Sequence, residues 1–260
     1  MFPHPSAMRS HSLLDRHTLM LHVTAGIGAG FTWGTVPTIS PADVAGILAR
    51  FPGCPTAKVK VAAPGQTLTD DVARLRAVRD ALGPEGRIRV DANGLWNVDE
   101  AEHAIHALAE FDLEYVEQPC ATIEELAEIR ERTAYLGVPI AADESVRRST
   151  DPLAVARAGA ADILVIKAQP LGGIRAALSI IGQSGLPVVV SSALDTSVGL
   201  SMGAHLAAAI PELQFDCGLG TVALLAADVR SNHSRRSTAA SRSLGSHTRR
   251  DASRPLRGIR

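Results

Sequence analysis

The chain has 260 residues, 46% of them apolar, a formal net charge of −1 and only 3% aromatics. That length carries one large α/β domain or two small ones, and that apolar share supplies a real core. The scarcity of aromatics argues against a base-stacking nucleic-acid surface, and no apolar run reaches the length of a membrane span.

The charge is unevenly spread. From Arg230 onward there are nine arginines and one acid, Asp251, so the tail carries about +8. Cys54, Cys120 and Cys217 lie far apart and form no CxxC. An odd number without metal spacing argues against a disulfide framework, so a reducing cytoplasm is expected. Asp15, Arg16 and His17 interrupt the stretch from Leu13 to Val23, which therefore does not read as a signal peptide.

In chain order, residues 1–35 read as an irregular segment. His4, His11, His17 and His22 show no metal-ligand spacing, and Gly26–Gly30 lacks a full dinucleotide fingerprint. Phe31 to Ile39 can supply a strand. Ser40 with Pro41 marks a helix start, running to about Arg50. Then a rhythm begins. Strand Thr56–Ala62 precedes a helix over about 69–82, with Val72, Leu75, Val78 and Leu82 on one face. Strand 87–91 precedes a helix over about 98–111, with Asn97 and Glu100 at capping-box positions. Strand 113–117 precedes a helix opened by the Thr122–Glu125 capping pair. Strand 138–142 leads to a short helix over 152–158, strand 162–167 to a helix over 173–182, and strand 187–191 to a helix over 198–209. A last strand is expected at Leu213–Asp216.

Alternating apolar strands and helices mean a parallel sheet covered by helices. Polar residues stand at the C-terminal ends of several strands, which suits a barrel, where those ends meet at one mouth. The expected architecture is α/β, a (β/α)7β TIM-like barrel over residues 36–229. Residues 230–260, rich in Ser and Arg without apolar periodicity, read as a basic disordered tail.

The chain's 26 basic residues include only three lysines, Lys58, Lys60 and Lys167, all on apolar strand-like segments. Arginine keeps its proton in proteins, whereas lysine can release it when burial or a neighbouring cation lowers its pKa. Strand alternation puts Lys58 and Lys60 on one face. Asp91, Glu117 and Asp143 end three consecutive strands at spacings of 26, and Lys167 follows 24 residues later. Individually each carboxylate could be a turn or cap residue. Three at one phase of the repeat would repel unless a cation sits among them, and all-oxygen donors favour Mg²⁺. A divalent ion flanked by lysines suits proton abstraction next to a carboxylate.

The motifs Lys58-Val59-Lys60, Asp91-Ala92-Asn93, Glu117-Gln118-Pro119, Asp143-Glu144-Ser145 and Lys167 resemble the enolase superfamily, specifically its muconate lactonizing enzyme subgroup, whose Lys or His base with Mg²⁺ is a known pattern. Residues 168–173 and 191–199 look most like o-succinylbenzoate synthases of the actinobacterial type. The resemblance implies that Asp91, Glu117 and Asp143 bind Mg²⁺. It implies that Lys60 is the base, that Lys167 stabilises the developing anion, and that Lys58 lowers the pKa of Lys60. It places Asn93, Gly172, Ser191 and Ser192 near a small carboxylate substrate, and it implies a cytoplasmic lyase of menaquinone biosynthesis with no membrane or specific nucleic-acid partner.

Racemisation or epimerisation of N-succinylamino acids or dipeptides is the alternative within the subgroup, and a non-catalytic barrel fragment is the alternative outside it. The family also has an N-terminal α+β capping domain. Only 57 residues precede Lys58, so the cap is expected to be missing or reduced, with impaired activity as the consequence.

Overall fold

The computed structural model describes residues 33–221 together with Leu225 and Asp228. Among the described residues, seven strands form one sheet in sequential order. They are β1 (Gly34–Val36), β2 (Thr56–Lys60), β3 (Arg87–Asp91), β4 (Leu113–Glu117), β5 (Ile140–Ala142), β6 (Ile163–Ile166) and β7 (Val188–Val190). Every neighbouring pair is parallel. Between them run α1 (Val44–Leu48), α2 (Leu68–Leu82), α3 (Val98–Leu108), α4 (Ile123–Thr133), α5 (Glu144–Arg147), α6 (Ala154–Arg157) and α7 (Ile174–Ser184), and α8 (Ser197–Ala209) follows β7.

Local chemistry sets the helix starts. Ser40 accepts a bond from the Ala42 amide and Pro41 opens a 3-10 turn that leads into α1. Reciprocal capping boxes, Asn97 with Glu100 and Thr122 with Glu125, open α3 and α4. A third, Thr67 with Asp70, opens α2. Each satisfies amides that a helix start leaves without partners.

The apolar residues separate into two cores. The larger lies between strands and helices and includes Val59, Leu75, Ile88, Ile105, Val116, Leu126 and Leu164. The smaller gathers Trp33, Tyr115, Ala141, Ile163, Val165 and Val189, which face the opposite side of the same strands. Arg89 is buried with them, its guanidinium 4.8 Å from the Trp33 ring centre and 4.9 Å from that of Tyr115.

The structure corrects several expected boundaries. The segment at Leu213–Asp216 is not a strand. The sheet contacts lie two residues later. The Gly218 amide donates to the Val190 carbonyl and the Ser192 amide to the Gly218 carbonyl, while the Trp33 amide donates to the Cys217 carbonyl. Cys217–Gly218 thus bridges the two edge strands and takes the eighth position around the ring with one isolated bridge, Ser191 to Gly218. The expected strand through Ala62 ends at Lys60, because Ala62 turns to φ +62°. The domain boundary expected at residue 36 cuts through β1. Helix α5 is a single turn, too short to leave a periodic signal in the sequence. The expectations of an irregular segment over the residues before Trp33 and of a disordered tail at 230–260 fall outside the described residues.

Candidate active site

Strand register sets the heights of the polar residues. Lys60 pairs with Asp91 and Asp91 with Glu117 across β2, β3 and β4, so the three stand at one level of the sheet. Asp143 follows β5 and Lys167 follows β6 directly. The strands end in cramped backbone there: Ala62, Asn93 and Gln118 have φ of +62°, +50° and +41°. Such conformations cost about 1–3 kcal/mol each and concentrate at functional sites.

A cavity of about 350 Å³ opens at this end. Lys58, Lys60, Asp91, Asn93, Asp143, Lys167, Ser191 and Ser192 all line it. Glu117, fully buried, lies below and is bonded to Lys58. Gly172 is not among the lining residues; it sits in an exposed turn after β6, its amide bonded to the Gln169 carbonyl.

The lysines and carboxylates interlock. Lys58 Nζ lies 2.6 Å from Glu117 Oε1 and 2.9 Å from Asp91 Oδ2. Lys60 Nζ lies 2.6 Å from the same Asp91 oxygen and donates to Asn93 Oδ1 at 2.8 Å. Lys167 pairs with Asp143 Oδ2, whose other oxygen accepts from Arg147 Nε at 3.0 Å. The side chain of Lys60 is 33% exposed, against 7% for Lys58 and 9% for Lys167. Lys60 is therefore the lysine most open to a molecule entering the cavity.

Burial raises the cost of every charge here. For Glu117, burial, with repulsion from Asp91 and Asp143, outweighs attraction to Lys58 and Lys167, and its carboxyl is pushed up to about 7. Asp91 moves the other way: burial would raise it, but Lys58 and Lys60 hold it well below the usual carboxylate range. Burial alone would lower Lys58, yet Glu117 and Asp91 win and keep its ammonium charged. The repulsion expected between Lys58 and Lys60 is thus met by a carboxylate oxygen that both share.

Three residues acquire a role only in three dimensions. Gln118, fully buried, accepts from the Asp143 and Ser145 amides and donates to the Ser145 hydroxyl, tying the end of β4 to the loop after β5. Arg147 bonds Asp143 and Glu144; its i+4 spacing from Asp143 is the sequence signal that points to it. Trp33 floors the cavity, with Lys58 Nζ 5.4 Å from its ring centre.

The donors suit a hard cation in kind. They are carboxylate oxygens, and Glu117 Oε2 is buried without a hydrogen-bond partner. As they stand the carboxylates hold lysines, and among the described residues no three His, Cys, Asp or Glu form a group that could hold a metal ion.

Residues 45–237 match the family model described as "Enolase C-terminal domain-like". The chain belongs to the enolase C-terminal domain-like family. An o-succinylbenzoate synthase from Thermobifida fusca is 61% identical over 195 residues, covering 75% of this chain and 60% of that protein. One from Mycobacterium ulcerans is 59% identical over 196 residues, covering 75% of this chain and 58% of that protein. The chain thus spans about 60% of the length of these relatives. Among solved structures, a dipeptide epimerase from Enterococcus faecalis superposes with a TM-score of 0.67 at 29% identity, over 76% of this chain and 58% of that one. Among the described residues no helix is long and apolar enough to cross a membrane.

Proposed function

We propose that this domain carries the chemistry of a Mg²⁺-dependent o-succinylbenzoate synthase, a lyase of menaquinone biosynthesis acting in the cytoplasm. The reaction is syn-dehydration of 2-succinyl-6-hydroxy-2,4-cyclohexadiene-1-carboxylate to 2-succinylbenzoate. The observation that carries this reading is Lys60, the most exposed of three lysines in a cavity that Asp91, Asp143 and Lys167 also line from the ends of β3, β5 and β6. The identity of 58–61% to curated o-succinylbenzoate synthases supports it over the epimerase and racemase structures, which are 26–30% identical.

Lys60 Nζ takes the proton on the carbon next to the substrate carboxylate. Asp91 and Asn93 aim that amine. The ammonium of Lys167 faces the negative charge that builds on the carboxylate, and Lys58 stays charged beneath. Lys60 then returns the proton to the departing hydroxyl. The C–O bond breaks as the new double bond forms, and water leaves from the face on which the proton was taken. Asp91, Glu117 and Asp143 would hold Mg²⁺, which when bound neutralises charge on the substrate carboxylate. Ser191 and Ser192 fit as the edge that receives the succinyl arm.

The test is turnover of the purified chain with Mg²⁺, followed by formation of the aromatic product. Product formation supports the reading. Exchange of the α-proton of N-succinylamino acids or dipeptides with D₂O, without dehydration, would favour the epimerase alternative instead.

A further inference from the structure

Arg74 and Asp71 lie on α2, outside the cavity, and have no part in the chemistry described. Yet they are among the most buried charges of the molecule, 1% and 3% exposed, and pair at 2.6 Å. A buried ion pair is costly to desolvate and rarely improves stability over apolar side chains, so its retention asks for a purpose.

Its partners supply one. Arg74 Nη1 donates to the carbonyl of Lys60 at 3.0 Å. Arg74 Nε donates to the carbonyl of Ile39, on the loop that leaves β1, at 3.1 Å. Arg74 Nη2 donates to Gln66 Oε1 at 2.7 Å. Asp71 Oδ2 accepts from the amide of Ala62, the residue at φ +62°, at 3.0 Å. One guanidinium and one carboxylate thus clamp the backbone on both sides of the point where β2 ends, and tie it to the neighbouring loop. A lysine stem swings on its own backbone, so the direction of the Lys60 amine depends on that point being fixed.

We infer that Asp71 and Arg74 are positioning residues that hold the end of β2 so that Lys60 points into the cavity. This rests on the proposed role of Lys60 as the base, and the test separates the two. With three lysines in the chain, ¹³C reductive methylation gives few enough methyl signals, besides that of the N-terminus, to assign them by single Lys→Arg variants. The double variant Asp71→Asn/Arg74→Gln removes both charges together and leaves no unpaired buried ion. The Lys60 signal should shift while that of Lys167 stays, and kcat with Mg²⁺ should fall about 100-fold with KM within about threefold of the parent. Asp71→Asn alone gives the same readings on a smaller scale if the double variant does not fold.

A lower melting temperature with the Lys60 signal and kcat per folded molecule unchanged would overturn the inference, leaving the pair a structural one. If the parent chain itself shows no turnover, the proposed activity fails, and the Lys60 signal alone decides the positioning role.

Discussion

At the scale of single residues the site is a problem of unbalanced charge. Lys58 is enclosed by Glu117 and Asp91, and removing it would leave the buried Glu117 without its paired lysine, while Asp91 keeps Lys60. Lys58→Ala should therefore cost about 3–5 kcal/mol of stability in metal-free urea denaturation. Glu117 sets a pH dependence. Its pKa rises from the ordinary 4.5 to about 7 in the fold. Between those values the folded state binds more protons than the unfolded, so this group's stabilising contribution is present below 4.5 and is lost as pH rises towards 7. Asp91, held low, opposes this: its contribution is present above its unfolded value of 3.8 and is lost in more acid solution. Thermal melts without divalent ions should show stability falling from about pH 5 to pH 7, and Glu117→Gln should flatten that slope. Because a metal needs the deprotonated carboxylate, Mg²⁺ should bind with proton release and more weakly below pH 7, as calorimetry in buffers of different ionisation enthalpy would read. The lysines and carboxylates were legible in the sequence, since type, scarcity and spacing all marked them. Their pairing was not: that Asp91 Oδ2 is shared by Lys58 and Lys60 depends on rotamers, which a periodic pattern does not encode.

At the scale of elements, local rules sufficed where the chemistry is local. The capping pairs at Asn97 and Thr122 stand where sequence spacing predicts them, and β3 and β4 begin and end at the expected residues. Thr122→Ala removes the acceptor for the Glu125 amide and should cost about 1 kcal/mol, measurable as a shift of the urea midpoint at unchanged slope. Prediction failed where a distant contact decides. Ala62 leaves the strand because its amide is taken by Asp71, nine residues on. Helix α5 forms from four residues, too few for any periodicity, with Arg147 bonded to Asp143 at its start.

At the scale of the whole molecule, the alternation of strand and helix made the parallel ring legible, but not how the ring meets itself. Leu213–Asp216 has strand composition, yet Gly218 makes the bridge, because only a residue without a side chain fits there. A Cβ at that position would lie 2.1 Å from Trp33 Cζ2 and 2.8 Å from Ser191 Oγ. Gly218→Ala should push the bridging segment off β7 and cost about 1–3 kcal/mol or more, with loss of hydrogen-exchange protection at the Gly218 and Ser192 amides. The same ring carries Lys60, Asp91, Asp143 and Lys167 to one cavity, where the proposed function has them act on one carboxylate substrate. The most direct measurement is kcat of the purified chain for 2-succinylbenzoate formation with Mg²⁺, set beside Lys60→Ala. Turnover should fall about 100- to 10,000-fold in the variant, the range for removing a general acid–base, with circular dichroism unchanged. Turnover that survives Lys60→Ala, or none in a folded parent chain, would contradict the proposed function.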